Sequence, residues 1–66
     1  MERYELHVEI DGNLLVYRYN VPAEPFETVI SDARFHKGQG RTVVLYREQI
    51  QNGCGWLILE RVLTFT

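Results

Sequence analysis

The sequence predicts a small α+β domain with the element order ββαββ, in which one helix packs on one face of a four-stranded antiparallel sheet. Two strand pairs predict the sheet, one around Asp11-Gly12 and one around Asn52-Gly53, since both dipeptides favour tight turns. Between the pairs, apolar residues recur at helical spacing and predict the single helix. Because the chain has 66 residues, we expect a single domain, residues 1–66, near the lower size limit for independent folding.

The first strand pair is predicted by the alternation of apolar and charged residues from position 3 to position 10. The apolar parity consists of Tyr4, Leu6, Val8 and Ile10. Asp11-Gly12 tolerates the positive φ angles that a two-residue type I′ turn requires. With that turn as the loop, Glu5 lies opposite Arg18, and apolar side chains face each other along most of the hairpin. Two independent checks therefore agree on the register.

The helix is predicted to have Pro25 in its first turn, where the missing N–H of proline is tolerated. One apolar stripe follows at helical spacing, formed by Phe26, Val29, Ile30 and Ala33. Phe35 lies on the side opposite Phe26, so we expect the helix to end near Arg34 and Phe35 to turn inward. Gly38 and Gly40 follow directly and supply the stop signals.

The second strand pair is predicted from residues 41–49 and 56–66, which are rich in apolar and β-branched side chains. Two registers are open, because the loop around Asn52-Gly53 can hold either five or two residues. A five-residue loop places Val44 opposite Val62, whereas a two-residue loop places Val44 opposite Arg61. Packing favours the five-residue loop, since it brings apolar side chains together.

Composition and charge make several classes of protein improbable. The hydrophobic content of 45% is typical of a globular chain, and the formal net charge of -2 gives no field that would attract nucleic acid. Neither a secretory signal nor a membrane helix of ~20 apolar residues is predicted. A single cysteine excludes an intrachain disulfide, so we expect a cytoplasmic protein. A short chain that starts at Met1 also fits the compact genome of a phage or mobile element.

No catalytic, cofactor-binding or metal site is predicted. Cys54 lies in a predicted turn with no histidine beside it to take its proton, so we expect a small turn residue rather than a nucleophile. His7 and His36 lack the close spacing of structural zinc ligands, and we expect both histidines to be exposed to solvent. An enzyme is therefore the least favoured class of function.

The one concentration of basic residues follows the predicted helix, where Arg34, Lys37 and Arg41 are candidate anion-binding residues. A glycine-rich loop with three cations could hold a phosphate. However, cations near a helix C-terminus also stabilise the helix dipole, and glycine is the usual cap there. We favour the capping interpretation, which leaves a nucleic-acid-binding regulator as the alternative function and makes nucleic acid an improbable partner.

The predicted fourth strand is apolar on both parities, although one short helix covers only one face of a sheet. Leu59 and Leu63 share a parity and should lie on one face. The predicted interface is Val43, Leu45, Leu57, Leu59, Leu63 and Phe65. In a competing interpretation, Leu63 and Phe65 form a frayed tail or fold over an edge.

A contiguous apolar patch usually marks an interface, and two-fold dimers are the commonest oligomers. We therefore expect a small non-enzymatic protein-interaction module, such as a regulator, inhibitor or subunit, without a cofactor. Its expected partner is a second copy of the chain, or else another protein.

Overall fold

A computed structural model describes residues 1–50 and 55–66 and confirms the ββαββ order. The sheet has four strands in the order β2-β1-β3-β4, and each neighbouring pair is antiparallel. β1 and β3 are therefore central, and β2 and β4 are the edge strands. The elements are β1 Glu2–Ile10, β2 Asn13–Val21, α1 Phe26–Gly38, β3 Thr42–Ile50 and β4 Leu57–Phe65.

The first hairpin has the predicted turn and register. Asp11 and Gly12 have φ angles of 50° and 80°, as a type I′ turn requires. Glu5 lies opposite Arg18. The Nε atom of Arg18 is 3.6 Å from the Oε2 atom of Glu5, so the predicted cross-strand charge pair forms.

The hydrophobic core lies between α1 and one face of the sheet, called here the helix face. Leu6 pairs with Leu45, and Val8 pairs with Val43, so the two central strands supply the middle of this face. The buried core residues are Tyr4, Leu6, Val8, Tyr19, Val29, Ala33, Val43 and Leu45. No element of the described chain covers the opposite face, called here the open face.

α1 extends one turn further than the sequence predicts. The prediction that it ends near Arg34 is wrong, and Phe35 is 61% exposed on the outside of the helix. The carbonyl of Phe35 accepts a hydrogen bond from the N–H of Gln39, so the helical hydrogen-bond pattern continues past it. Gly40, with a φ of 80°, then provides the left-handed residue that ends a helix. A single exposed aromatic ring is tolerated, since isolated apolar residues are common on protein surfaces.

The second hairpin has neither of the two predicted registers. Leu45 pairs with Leu63, whereas its neighbour Tyr46 pairs with Arg61, so a β-bulge leaves Val62 as the extra residue of β4. The prediction that Leu59 and Leu63 share a face is also wrong, because the bulge separates them. The predicted turn at Asn52-Gly53 lies outside the described residues.

Within the described residues, no helix is both long enough and apolar enough to cross a membrane.

Candidate functional site

The most exposed apolar region of the described chain is β4 together with the residue before it. Six large apolar side chains there are each between 39% and 69% exposed. We call this set the β4 surface: Trp56, Leu57, Ile58, Leu59, Val62 and Leu63. The surface occurs at an edge strand, where one side of the backbone has no neighbouring strand.

The β4 surface extends over both faces of the sheet. Leu59 pairs with Glu48, which lies on the open face two residues from Tyr46, and Leu57 lies two residues from Leu59 on the same face. Leu63 pairs with the core residue Leu45 and therefore lies on the helix face. Ile58, between Leu57 and Leu59, also points to the helix face. Between Leu57 and Leu63, both faces of this strand are therefore partly exposed.

The structure retains only part of the predicted interface on the surface. Val43 and Leu45 have no exposed surface, because they lie beneath α1, and Phe65 packs against the same core. These three residues contribute to the monomer core, which corrects the predicted set. Leu57, Leu59 and Leu63 remain exposed.

The prediction missed Trp56, Ile58 and Val62, which are also exposed. In the sequence these residues lie on the parity opposite to that of Leu57, Leu59 and Leu63, which was chosen as the interface. The available signal was the nearly continuous apolar run itself, which does not alternate and so gives no reason to choose one parity.

α1 lies over the central strands, and its two flanks differ. One flank faces β2, where the hydroxyl of Tyr19 donates a 2.9 Å hydrogen bond to Oδ2 of Asp32 and the ring of Tyr17 lies 5.2 Å from that of His36. Burial and the carboxylate of Asp32 raise the pKa of Tyr19. The other flank, which faces away from β2, borders a shallow pocket of about 330 Å³ lined by Phe26, Glu27, Ile30, Ser31 and Arg34.

The open face contains a second feature, a pair of carboxyl groups on neighbouring strands. Glu5 of β1 is only 5% exposed, and Oε1 of Glu5 lies 3.0 Å from Nε2 of His7. Burial opposes ionisation of Glu5, but hydrogen bonds with His7 and Glu48 and the charge of Arg18 outweigh it and lower its pKa. The hydrogen bond with Glu5, followed by burial, raises the pKa of Glu48. Of the two carboxyl groups, Glu48 is therefore the one that ionises at the higher pH.

The carboxyl pair borders a pocket of about 320 Å³ that is also lined by two arginines. Its lining is Arg3, Glu5, Arg18, Tyr19, Asn20, Glu48 and Leu57. Sequence analysis did not identify the pair, because only the register between β1 and β3 brings Glu5 close to Glu48. That register joins strands far apart in the chain, and no turn defines it.

The expectation that both histidines are exposed is wrong. His7 is half-buried, since its ring lies 4.5 Å from the ring of Tyr46 and contacts Glu5. His36 is also half-buried, and its Nδ1 atom accepts a 2.8 Å hydrogen bond from Nη1 of Arg41. Each histidine is therefore part of a local hydrogen-bonded cluster.

The three candidate anion-binding residues do not converge on one point. Arg41 contacts His36, and the 100° step of a helix places Arg34 about 160° around α1 from His36. Arg34 instead lines the pocket on the flank that faces away from β2. Lys37 is half-buried and lies in the last turn of α1, where the capping interpretation predicts a cation.

Cys54 lies outside the described residues, so the prediction that it has no role is not tested by the structure. Among residues 1–50 and 55–66, no group of three His, Cys, Asp or Glu side chains has a metal-binding arrangement.

Comparisons with known proteins give no relative: no protein family model, curated protein or solved structure matches the chain. What defines the protein is therefore its fold, a small α+β domain, and its uncovered β4 surface.

Proposed function

We propose that the protein is a small non-enzymatic interaction module that forms a homodimer through β4 and acts as a regulator, inhibitor or subunit. One observation carries this proposal, the exposure of six large apolar side chains on a single edge strand and the residue before it. Contiguous patches of this kind mark interaction sites in other proteins, whereas scattered apolar residues do not. The single cysteine of the chain supports a place in the cytoplasm.

The free energy at stake is large for a domain of this size. Full burial of a large apolar side chain stabilises by ~1.5–3 kcal/mol, and the six residues of the β4 surface are on average half exposed. Burial of the exposed half of these side chains would therefore add roughly 4–9 kcal/mol of stabilisation. The unfolding free energy of a small domain is itself only ~5–15 kcal/mol. A partner that covers β4 would recover much of this energy.

A second copy of the chain is the simplest partner, because every copy carries the same uncovered strand and two-fold dimers are the commonest oligomers. Association itself costs an estimated ~4–15 kcal/mol in lost translational and rotational freedom. Side-chain burial on β4 is of the same order, so further contacts must contribute to a stable dimer.

No specific observation favours the alternative, a nucleic-acid-binding regulator. The net charge is -2, and Arg41 already contacts His36. We expect no binding of generic duplex DNA at physiological salt. Tight binding that weakens steeply with added salt would favour the alternative, since phosphate contacts have that salt dependence.

The test is the molecular mass of the chain in solution, measured by sedimentation over a range of concentrations. We expect the wild type to be a dimer whose melting temperature rises with concentration, because dissociation is linked to unfolding. Replacing both Leu59 and Leu63 with Glu should yield a monomer, or an unfolded chain if the monomer is too small to stand alone. Phe35→Glu, at a similarly exposed apolar residue outside β4, is the control and should remain dimeric.

A wild-type chain that stays monomeric at high concentration, with a melt independent of concentration, would contradict the proposal.

A further inference from the structure

We infer that the second copy lies beside β4 in the plane of the sheet, so that two β4 strands pair antiparallel across a two-fold axis. The dimer then contains one continuous eight-stranded sheet with both helices on the same face. This inference rests on the proposed function and specifies the geometry of its interface. Four features of the described chain support it.

The first feature is that β4 is apolar on both of its faces. A copy stacked on the open face would cover Leu57 and Leu59 but leave Ile58 and Leu63 in water. A copy stacked on the helix face would do the opposite. Only an occupant beside the strand places cross-strand neighbours next to side chains on both faces. The position of the uncovered side chains therefore selects edge pairing.

The second feature is the weak protection of this edge. Edge strands usually avoid pairing through proline, lysine, a charge that points towards the edge or a β-bulge, and the bulge of β4 lies at Val62, which leaves residues 57–61 regular. Residues 55–66 contain neither proline nor lysine. Glu60 is held towards β3, since Oε1 of Glu60 accepts a 3.0 Å hydrogen bond from Nη2 of Arg47. Alternate N–H and C=O groups of β4 are thus available to another strand.

The third feature is the size of the edge. A nine-residue strand is about 30 Å long, and the smallest dimension of the molecule is 16 Å. The side wall that carries β4 therefore has a flat area on the order of 500 Å², and a standard interface takes ~800 Å² of accessible surface from each partner. Accessible area exceeds flat area on a surface with projecting side chains, so the wall is of adequate size.

The fourth feature is that pairing of β4 with β4 closes with two copies. β2 is also an edge strand and also exposes apolar residues, Leu14, Leu15, Val16 and Tyr17. Because β2 and β4 run in opposite directions, β4 of one copy could pair antiparallel with β2 of the next. Such a head-to-tail contact need not close and can propagate into filaments. The symmetric contact gives a finite assembly.

Backbone amide hydrogen exchange of the wild type, followed by NMR above and below the concentration at which it dimerises, tests this geometry directly. We expect the outward-facing amides of β4, which alternate with those bonded to β3, to gain protection together with the dimer mass. The amides of β2 should not change.

Each other outcome overturns a distinct statement. A dimer whose outward β4 amides stay unprotected contradicts edge pairing and leaves the proposed function standing. Protection in both β2 and β4, with a mass above that of a dimer, replaces the two-fold contact with a head-to-tail one. A chain that never dimerises overturns both proposals.

Two single variants give a second, independent test. Leu59 and Leu63 lie on opposite faces and are similarly exposed, at 39% and 45%. In edge pairing, Leu59→Glu and Leu63→Glu should each raise the dimer dissociation constant by about tenfold or more, because each introduces a charge beside the partner. Leu14→Glu, on the other edge strand, is the control and should leave it unchanged. An effect from only one of the two variants would show stacking on that face.

Discussion

The two hairpins of this domain differ in how strongly the sequence defines them. The β1–β2 hairpin has one apolar parity and one largely charged parity on β1, and its predicted register is confirmed. The β3–β4 hairpin has apolar residues on both parities of β4, and neither predicted register occurs. The alternation of apolar and polar residues defines a register only where one face of a strand is exposed to solvent and the other is buried. A strand that needs cover on both faces loses that information.

Although the sequence encodes the two registers differently, we predict, first, that both hairpins contribute equally to the stability of the core. Leu6 and Leu45 pair across the central strands and are both fully buried. Leu6→Ala and Leu45→Ala should each destabilise the fold by ~2–5 kcal/mol through a lost side chain and the resulting cavity. Denaturant unfolding gives this value, and Phe35→Ala is the exposed control. A much smaller loss for Leu45 would show a loosely packed second hairpin.

The second prediction concerns the turn that defines the first hairpin. Gly12 has a φ of 80°, and no atom lies within 4 Å of a Cβ placed there, so backbone strain is the only cost of a side chain. Gly12→Val should lower the free energy of unfolding by ~1 kcal/mol or more, because β-branched residues tolerate positive φ poorly. Gly38→Ala, at a helical glycine with similar space, should be neutral or stabilising. Equal melting temperatures for wild type and Gly12→Val would argue against the turn.

The third prediction uses the carboxyl pair that joins the two hairpins. The raised pKa of Glu48 means that the folded state holds this proton above pH 4.5, the usual value, and loses the associated stability as pH rises through the raised pKa. Glu5 has a lowered pKa, so its contribution is present above the usual value and is lost as pH falls. Glu48→Gln keeps a neutral hydrogen-bond donor beside Glu5 at every pH. The variant should therefore gain stability over wild type as pH rises from 4 to 7.

Thermal melts across this pH range measure the gain, and Glu9→Gln, an exposed change on the same strand as Glu5, is the control. A stability difference that does not depend on pH would show that Glu5 and Glu48 do not share a proton.

The fourth and smallest effect is expected at Cys54, between the two strands of the second hairpin. Cys54→Ser should leave the mass, the melting temperature and any binding activity near those of wild type, since the sequence predicts a small turn residue at this position rather than a nucleophile. Loss of a bound metal, or of binding with the fold intact, would assign a role to the thiol.

Sequence reasoning recovered the element order, the first register and the uncovered character of β4, because all three depend on local patterns. It placed the end of α1 near Arg34 so that Phe35 could turn inward, but the helix continues to Gly38 and leaves Phe35 exposed. It also missed the carboxyl pair of Glu5 and Glu48, which depends on a pairing between distant strands. The register between two strands that are distant in the sequence is not encoded by the residues next to each strand residue, so no local pattern could have revealed the carboxyl pair.

Because of the bulge at Val62, the face on which each residue of β4 lies depends on the number of residues between it and the bulge. Val62 is the one extra residue that lets Leu63 and Phe65 reach the helix face while Leu57 and Leu59 occupy the other. In a regular strand, with Val62 also paired with β3, Leu63 and Phe65 would share the face of Leu57 and Leu59, and the side chains inside and outside would be exchanged on one side of Val62. A single substitution in β4 keeps this arrangement, whereas one residue inserted between Leu59 and Arg61 would shift the residues on one side of it by one position and change the core and the exposed surface together.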